Sequence, residues 1–260
     1  RLRWTEQPVR HSGPLLASLM AHNESKPTKG YFSDIIELYA SQGKLFGLDV
    51  GIEGEITGTS VHAGSTALGI ACMYGYVGVM EKLLSAGADK NLRNDGGWTP
   101  LMLAAKWGVV EAVKGMIAYG AEVNISSLSC SSINPGICCI PLCLAANNGH
   151  VEVLLALLQA GSDMEMADSN GHTPLMHAAI TNHEDILKIL IEAGANVDAT
   201  DKIGKTPLMW AAQFCYSGVV SALLAAKANK ILADDTGLTA IDHAAANGNA
   251  VIRRLLAETT

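Results

Sequence analysis

The chain has few aromatic rings and little charge. Phe, Trp and Tyr together number 13 in 260 residues, and Asp, Glu, Lys and Arg make up 17% of them. The basic residues form no runs; Arg1, Arg3 and Arg10 stand isolated near the start, and the formal net charge is −7. That balance argues against a nucleic-acid partner, which calls for clustered basic side chains. No apolar stretch reaches the roughly 18 residues of a membrane-spanning helix. The opening Arg1-Leu2-Arg3-Trp4 lacks the pattern of a secretory signal peptide and has no initiator Met, so the sequence reads as a fragment or a processed form. There is no GxSxG, P-loop, HExxH, dinucleotide fingerprint or kinase set, so intrinsic catalysis is not expected, nor any cofactor.

Six cysteines are present: Cys72, Cys130, Cys138, Cys139, Cys143 and Cys215. Their spacing includes an adjacent pair and does not match a zinc pattern, so no metal is expected. Cys72, Cys143 and Cys215 read as small apolar fillers within helices. A chain of this length needs no disulfide framework, and a reducing intracellular compartment, cytoplasmic or nuclear, is expected.

What is present is a repeat. Thr99-Pro100-Leu101-Met102, Thr173-Pro174-Leu175-Met176 and Thr206-Pro207-Leu208-Met209 are the same phrase, the last two 33 residues apart. The threonine register runs Thr66, Thr99, Ile140, Thr173, Thr206 and Thr239, with one step lengthened by 8 residues. Gly64, Gly97, Gly171, Gly204 and Gly237 stand two residues earlier, where a turn requires a permissive backbone. Thr then suits a helix N-cap and Pro the first helical position. Ala pairs such as Ala104-Ala105 and Ala211-Ala212 leave room for close stacking. A second apolar row follows at helical spacing, as in Val79-Leu83-Leu84 and Ile186-Leu190-Ile191, and is expected to be core. Asp168, Asp201 and Asp234 share one register and are expected to hold the turns through Asx hydrogen bonds.

The 33-residue T-P-L-x-x-A-A period resembles the ankyrin-repeat family, over about residues 12–260 and most specifically from Gly64 onward. The resemblance implies an all-α repeat solenoid of helix-turn-helix pairs joined by β-hairpin loops. On that plan residues 1–11 are an N-terminal extension, 12–48 a divergent capping repeat and 49–63 a linker or long hairpin. Residues 64–260 form six repeats: 64–96, 97–137 with an insertion at 125–138, 138–170, 171–203, 204–236 and 237–260.

In this family the first helices line a concave face extended by the hairpin tips. Register then places Tyr74, Tyr76, Trp98, Leu103, Trp107, His177, Trp210, Phe214, Tyr216 and His243 on that face. Eight of the 13 rings fall in the repeats, and seven of those eight lie in these registers rather than in the second-helix rows. Rings concentrated on one face point to a partner surface. The resemblance therefore implies a non-catalytic protein-interaction module or scaffold, its acidic hairpins suited to a protein partner with a basic surface. Four alternatives stand beside it. One is a structural subunit of a larger complex. Another is an ankyrin part of an enzyme whose catalytic domain lies outside the chain. A third is a methyl-lysine reader, which would enclose one point with three ring faces near a carboxylate. The last is packing of some rings, Trp210 above all, between neighbouring first helices. His177 and His243 lie about two repeats apart, too far to share an ion.

Overall fold

A computed structural model describes residues 66–94, 96–126 and 140–258, with the backbone of 3–4 and 52–53. The expected capping repeat at 12–48, most of the linker at 49–63 and the Ser/Cys-rich part of the insertion at 127–139 lie outside the described residues. The two short segments, β1 (Arg3–Trp4) and β2 (Ile52–Glu53), pair antiparallel with Arg3 opposite Glu53. The described residues otherwise form twelve helices, the all-α solenoid plan expected from the period.

The chain divides into two compact units, Arg1–Val123 with Ser127–Pro135 and Asn124–Ser126 with Gly136–Thr260. In the first unit, α1 (Ala67–Tyr74) packs on α3 (Pro100–Lys106), and α2 (Val77–Ser85) packs on α4 (Val110–Ala118). The second unit has four hairpins. Its first helices, α5 (Pro141–Asn148), α7 (Pro174–Ile180), α9 (Pro207–Gln213) and α11 (Ala240–Ala246), stack in one row. Its second helices, α6 (Val151–Gln159), α8 (Glu184–Glu192), α10 (Ser217–Ala225) and α12 (Ala250–Glu258), stack in another.

The local chemistry explains each start. The hydroxyls of Thr66, Thr99, Thr173 and Thr206 accept from the backbone N–H three residues on, at 3.1–3.3 Å, satisfying a donor the helix leaves open. Ile140 has no such group, and Thr239 instead donates to Asp242, which also accepts the Thr239 N–H. The Ala pairs from Ala104 to Ala212 are fully buried between first helices. In the last repeat Ala244 is buried but Ala245 is exposed. The second-helix rows are core as expected at Val113, Met116, Ile186, Leu190 and Leu223. Ile117, Leu158, Ile191 and Leu224 are only partly buried, while Ala112, Leu154, Leu187 and Val219 complete the face.

Left-handed residues end both helix rows. First helices close on Gly75, Gly108, Gly149 and Gly248, with Asn182 and Cys215 in the equivalent places. Cys215 is thus not a helical filler: it sits in the turn after α9 with φ 63°. Cys72 and Cys143 are buried in helices as expected, and burial pushes the Cys72 thiol up. Second helices close on Gly87, Gly120, Gly161 and Gly194, with Lys227 at φ 63° completing the series.

Candidate functional site

The Asx prediction holds at all three aspartates, which lie in the second unit. Asp168 Oδ1 accepts from the N–H groups of Asn170 and His172. Asp201 Oδ1 accepts from Ile203 and Lys205, and Asp234 Oδ1 from Thr236 and Leu238. Asn94 does the same for Gly96 and Trp98. One carboxylate oxygen therefore builds the turn, and the second is left to point at the first helix nine residues on. There Asp168 Oδ2 meets His177 Nε2 at 3.0 Å, Asp201 Oδ2 accepts Trp210 Nε1–H at 2.9 Å, and Asp234 Oδ2 meets His243 Nε2 at 2.8 Å.

These contacts correct part of the expected face. The register four residues after the threonine points into the stack. Leu103, His177 and His243 are all buried, so none is available to a partner. The two histidines are polar core, each satisfied by the aspartate nine residues earlier. Trp210 is half-buried, against the turn residues Asp201 and His172 and its own helix end at Phe214. Trp98 is also buried, at 4% exposure.

The residue types agree across repeats. Where the helix position carries an N–H donor (His177, Trp210, His243), the turn position carries Asp. Where it carries Leu103, the turn position is the uncharged Asn94. This internal match is the signal in the sequence that identifies the paired positions. Burial pushes Asp168 up, but hydrogen bonds from His172 and His177 outweigh it and hold the carboxyl well below its ordinary range. Hydrogen bonds from the Thr236 hydroxyl and the Leu238 N–H, with His243, hold Asp234 low as well.

The exposed rings lie where the first helices end. Trp107 is 50% exposed, Phe214 40% and Tyr74 36%, and Tyr76 and Tyr216 are half-buried. In the first unit Tyr74 and Tyr76 stack with centroids 6.0 Å apart. Lys106 Nζ lies 5.0 Å from the Trp98 ring and 5.9 Å from that of Trp107. Burial lowers the Lys106 pKa. In the second unit the rings run in series. His177 meets His172 edge-on, His172 meets Trp210 edge-on, Trp210 stacks on Phe214 and Phe214 stacks on Tyr216, at centroid separations of 5.5–6.0 Å. Lys205 Nζ sits 4.4 Å from the Trp210 ring and donates to Gln213. Rings stacked in series do not enclose a point, and the cation place over Trp210 is taken by the chain's own lysine. Among the described residues of this unit the rings form no such cage.

Several acidic residues of the hairpins have structural partners too. Asp198 Oδ1 accepts the Asn229 N–H, Glu165 the Asn196 N–H, and Asn124 the Asp163 N–H, tying each repeat to the next. His172, Lys106 and Lys205 lie against these rings, though none was among the expected site residues. Asp168, His172 and His177 bring three ligand atoms within 4.8 Å of one another.

Comparison with known proteins agrees with this architecture. The family model for ankyrin repeats (3 copies) matches residues 32–127, 142–234 and 194–260. The chain belongs to the ankyrin-repeat family. It is 34% identical over 111 residues, 43% of the chain, to the ankyrin repeat and KH domain-containing protein mask of Drosophila melanogaster. It is 35% identical over 115 residues, again 43% of the chain, to the SMC5-SMC6 complex localization factor protein 1 of Bos taurus. A shorter stretch of 55 residues, 21% of the chain, is 44% identical to protein phosphatase 1 regulatory subunit 12A of Mus musculus. The matched stretches span 3%, 10% and 5% of those three proteins. Ankyrin repeats are in general non-catalytic protein-protein interaction modules. No helix among the described residues is long and apolar enough to cross a membrane.

Proposed function

We propose that this chain is a non-catalytic docking module that holds a protein partner against the exposed rings at the ends of its first helices. The observation that carries the reading is the position of Trp107 and Phe214. They occupy the same register in two different repeats, eight residues after Thr99 and Thr206. Both stay at least 40% exposed while the rest of each first helix is largely buried. Large rings left in water on an otherwise packed element are the residue class that dominates interface energies. Phe214 is backed on both sides, by Trp210 and Tyr216, so little of its side-chain entropy is lost on contact. A partner with a basic surface suits the net charge of −7.

The test is affinity capture from native lysate with the wild-type chain and with a Trp107→Ala/Phe214→Ala variant. Both side chains are exposed, so the variant should keep its circular dichroism spectrum. The reading expects the stoichiometric partner of the wild type to fall by at least about tenfold with the variant. Capture at the wild-type level would place the docking surface elsewhere.

A further inference from the structure

The Asp–His pair recurs in the second unit, yet only one copy has a third member. Asp234 and His243 meet at 2.8 Å and are followed through the fold by an ordinary Leu238. Asp168 and His177 meet at 3.0 Å, and the residue equivalent to Leu238 is His172. The later repeat shows that the pair is complete as a structural unit without a histidine there. His172 therefore needs a separate account. Its ring packs edge-on against His177 and Trp210, which an apolar ring could do as well, but its two nitrogens make only long contacts. Nδ1 lies 3.6 Å from Asp168 Oδ2 and Nε2 lies 3.4 Å from Asp201 Oδ2, both longer than the hydrogen bonds these carboxylates make to other donors.

We propose that Asp168 Oδ2, His172 Nδ1 and His177 Nε2 form a three-ligand site for a first-row divalent transition ion of the zinc class. Ligands about 2.0–2.1 Å from a tetrahedral zinc lie about 3.3 Å from one another. The 3.0 and 3.6 Å separations about Asp168 Oδ2 bracket that edge, and all three atoms fall within 4.8 Å. Two imidazoles and one carboxylate are a borderline ligand set that favours zinc, cobalt or nickel over calcium or magnesium. A ligating histidine is normally oriented by a carboxylate on its other nitrogen. Asp201 stands in that place, 3.4 Å from His172 Nε2, itself fixed by the Trp210 N–H and two backbone donors. Asp168 and His177 have nearly inaccessible side chains, at 2% and 6%, while His172 keeps 17% and gives the ion a way in. On loading, the ion replaces the proton between His177 Nε2 and Asp168 Oδ2, which is released to solvent. Three protein ligands leave the fourth tetrahedral position to water.

The experiment uses the whole chain freed of metal by a chelator and then dialysed. Zinc is titrated in competition with a chromophoric chelator, and cobalt(II) is added in parallel and read by its visible absorption. His172→Leu copies the residue found at Leu238, so the register is known to accept it. His172→Phe, a second variant, keeps a ring edge against Trp210 and His177 but has no nitrogen. The proposal expects one zinc per wild-type chain, a cobalt spectrum of tetrahedral intensity, and affinity at least about 100-fold lower in whichever variant folds. It is overturned if the wild-type chain takes no zinc at micromolar free ion. It is equally overturned if the folded variant binds as tightly as the wild type, since the ion would then be held adventitiously by other side chains.

Discussion

Trp210 donates its indole N–H to Asp201 Oδ2 at 2.9 Å, in the place where the neighbouring repeats set a histidine against an aspartate. Tryptophan and histidine are interchanged there because the turn carboxylate asks only for an N–H donor at that height on the helix. The extra reach of the indole then carries the ring outward to stack on Phe214, which links the turn to the exposed aromatic series.

Trp210→Phe keeps the stacking surface and removes the donor. Asp201 is buried, so its Oδ2 would lose a partner without gaining water. The expected cost is about 1–3 kcal/mol in urea unfolding followed by far-UV circular dichroism. A loss below about 0.5 kcal/mol would show that the indole bond adds little to the second unit.

The match between turn and helix residues predicts non-additivity. His243→Leu alone leaves the Asp234 carboxylate facing an apolar side chain and should cost about 1–3 kcal/mol. Adding Asp234→Asn recreates the Asn94/Leu103 combination that the first unit already uses. The double variant should therefore be more stable than the sum of the two single losses implies, by at least about 1 kcal/mol in a double-mutant cycle.

Acid should weaken the second unit through these same carboxylates. Asp168 and Asp234 are held below their ordinary value of 3.8 in the fold. A group with a depressed folded pKa adds stability above its unfolded value and loses it as pH falls toward the folded one. Urea midpoints should therefore drop from about pH 5 downward through pH 3. Asp234→Asn should be less stable than wild type at neutral pH and show a shallower fall over that window.

Lys227 offers a stabilising change. It adopts φ 63° where Gly87, Gly120, Gly161 and Gly194 occupy the same register. A left-handed backbone disfavours a side chain by about 1 kcal/mol, so Lys227→Gly should raise stability by up to about that amount. The opposite holds at Gly204, with φ 76° and the backbone nitrogen of Asp235 2.8 Å from where a Cβ would stand. Gly204→Ala should lower the thermal midpoint sharply.

The fold was legible because its signals are local and repeated. Threonine caps, the proline after them and the Ala pairs each act within a few residues, and the period shows that they act together. The Asx role of Asp168, Asp201 and Asp234 was equally local. The site was less legible. Leu103, His177 and His243 were placed on the face by register, and register alone does not decide whether that position points outward or into the stack. Burial of a polar ring depends on a partner nine residues away, and that dependence shows only when turn and helix positions are read as a pair. His172 and Lys205 were missed for a related reason. Their neighbours, Asp201 and Trp210 for His172 and Trp210 for Lys205, are brought against them only by the fold.

The central claim is that a partner docks on the exposed rings of the first helices. It is tested most directly by placing a photoreactive benzoyl-phenylalanine at Phe214 in one protein and at Ser221, an exposed residue of α10, in another. Irradiation in native lysate should give a discrete crosslinked partner from position 214 and none from position 221. Crosslinking from position 221 with none from position 214 would contradict the account and move the interaction to the second-helix face.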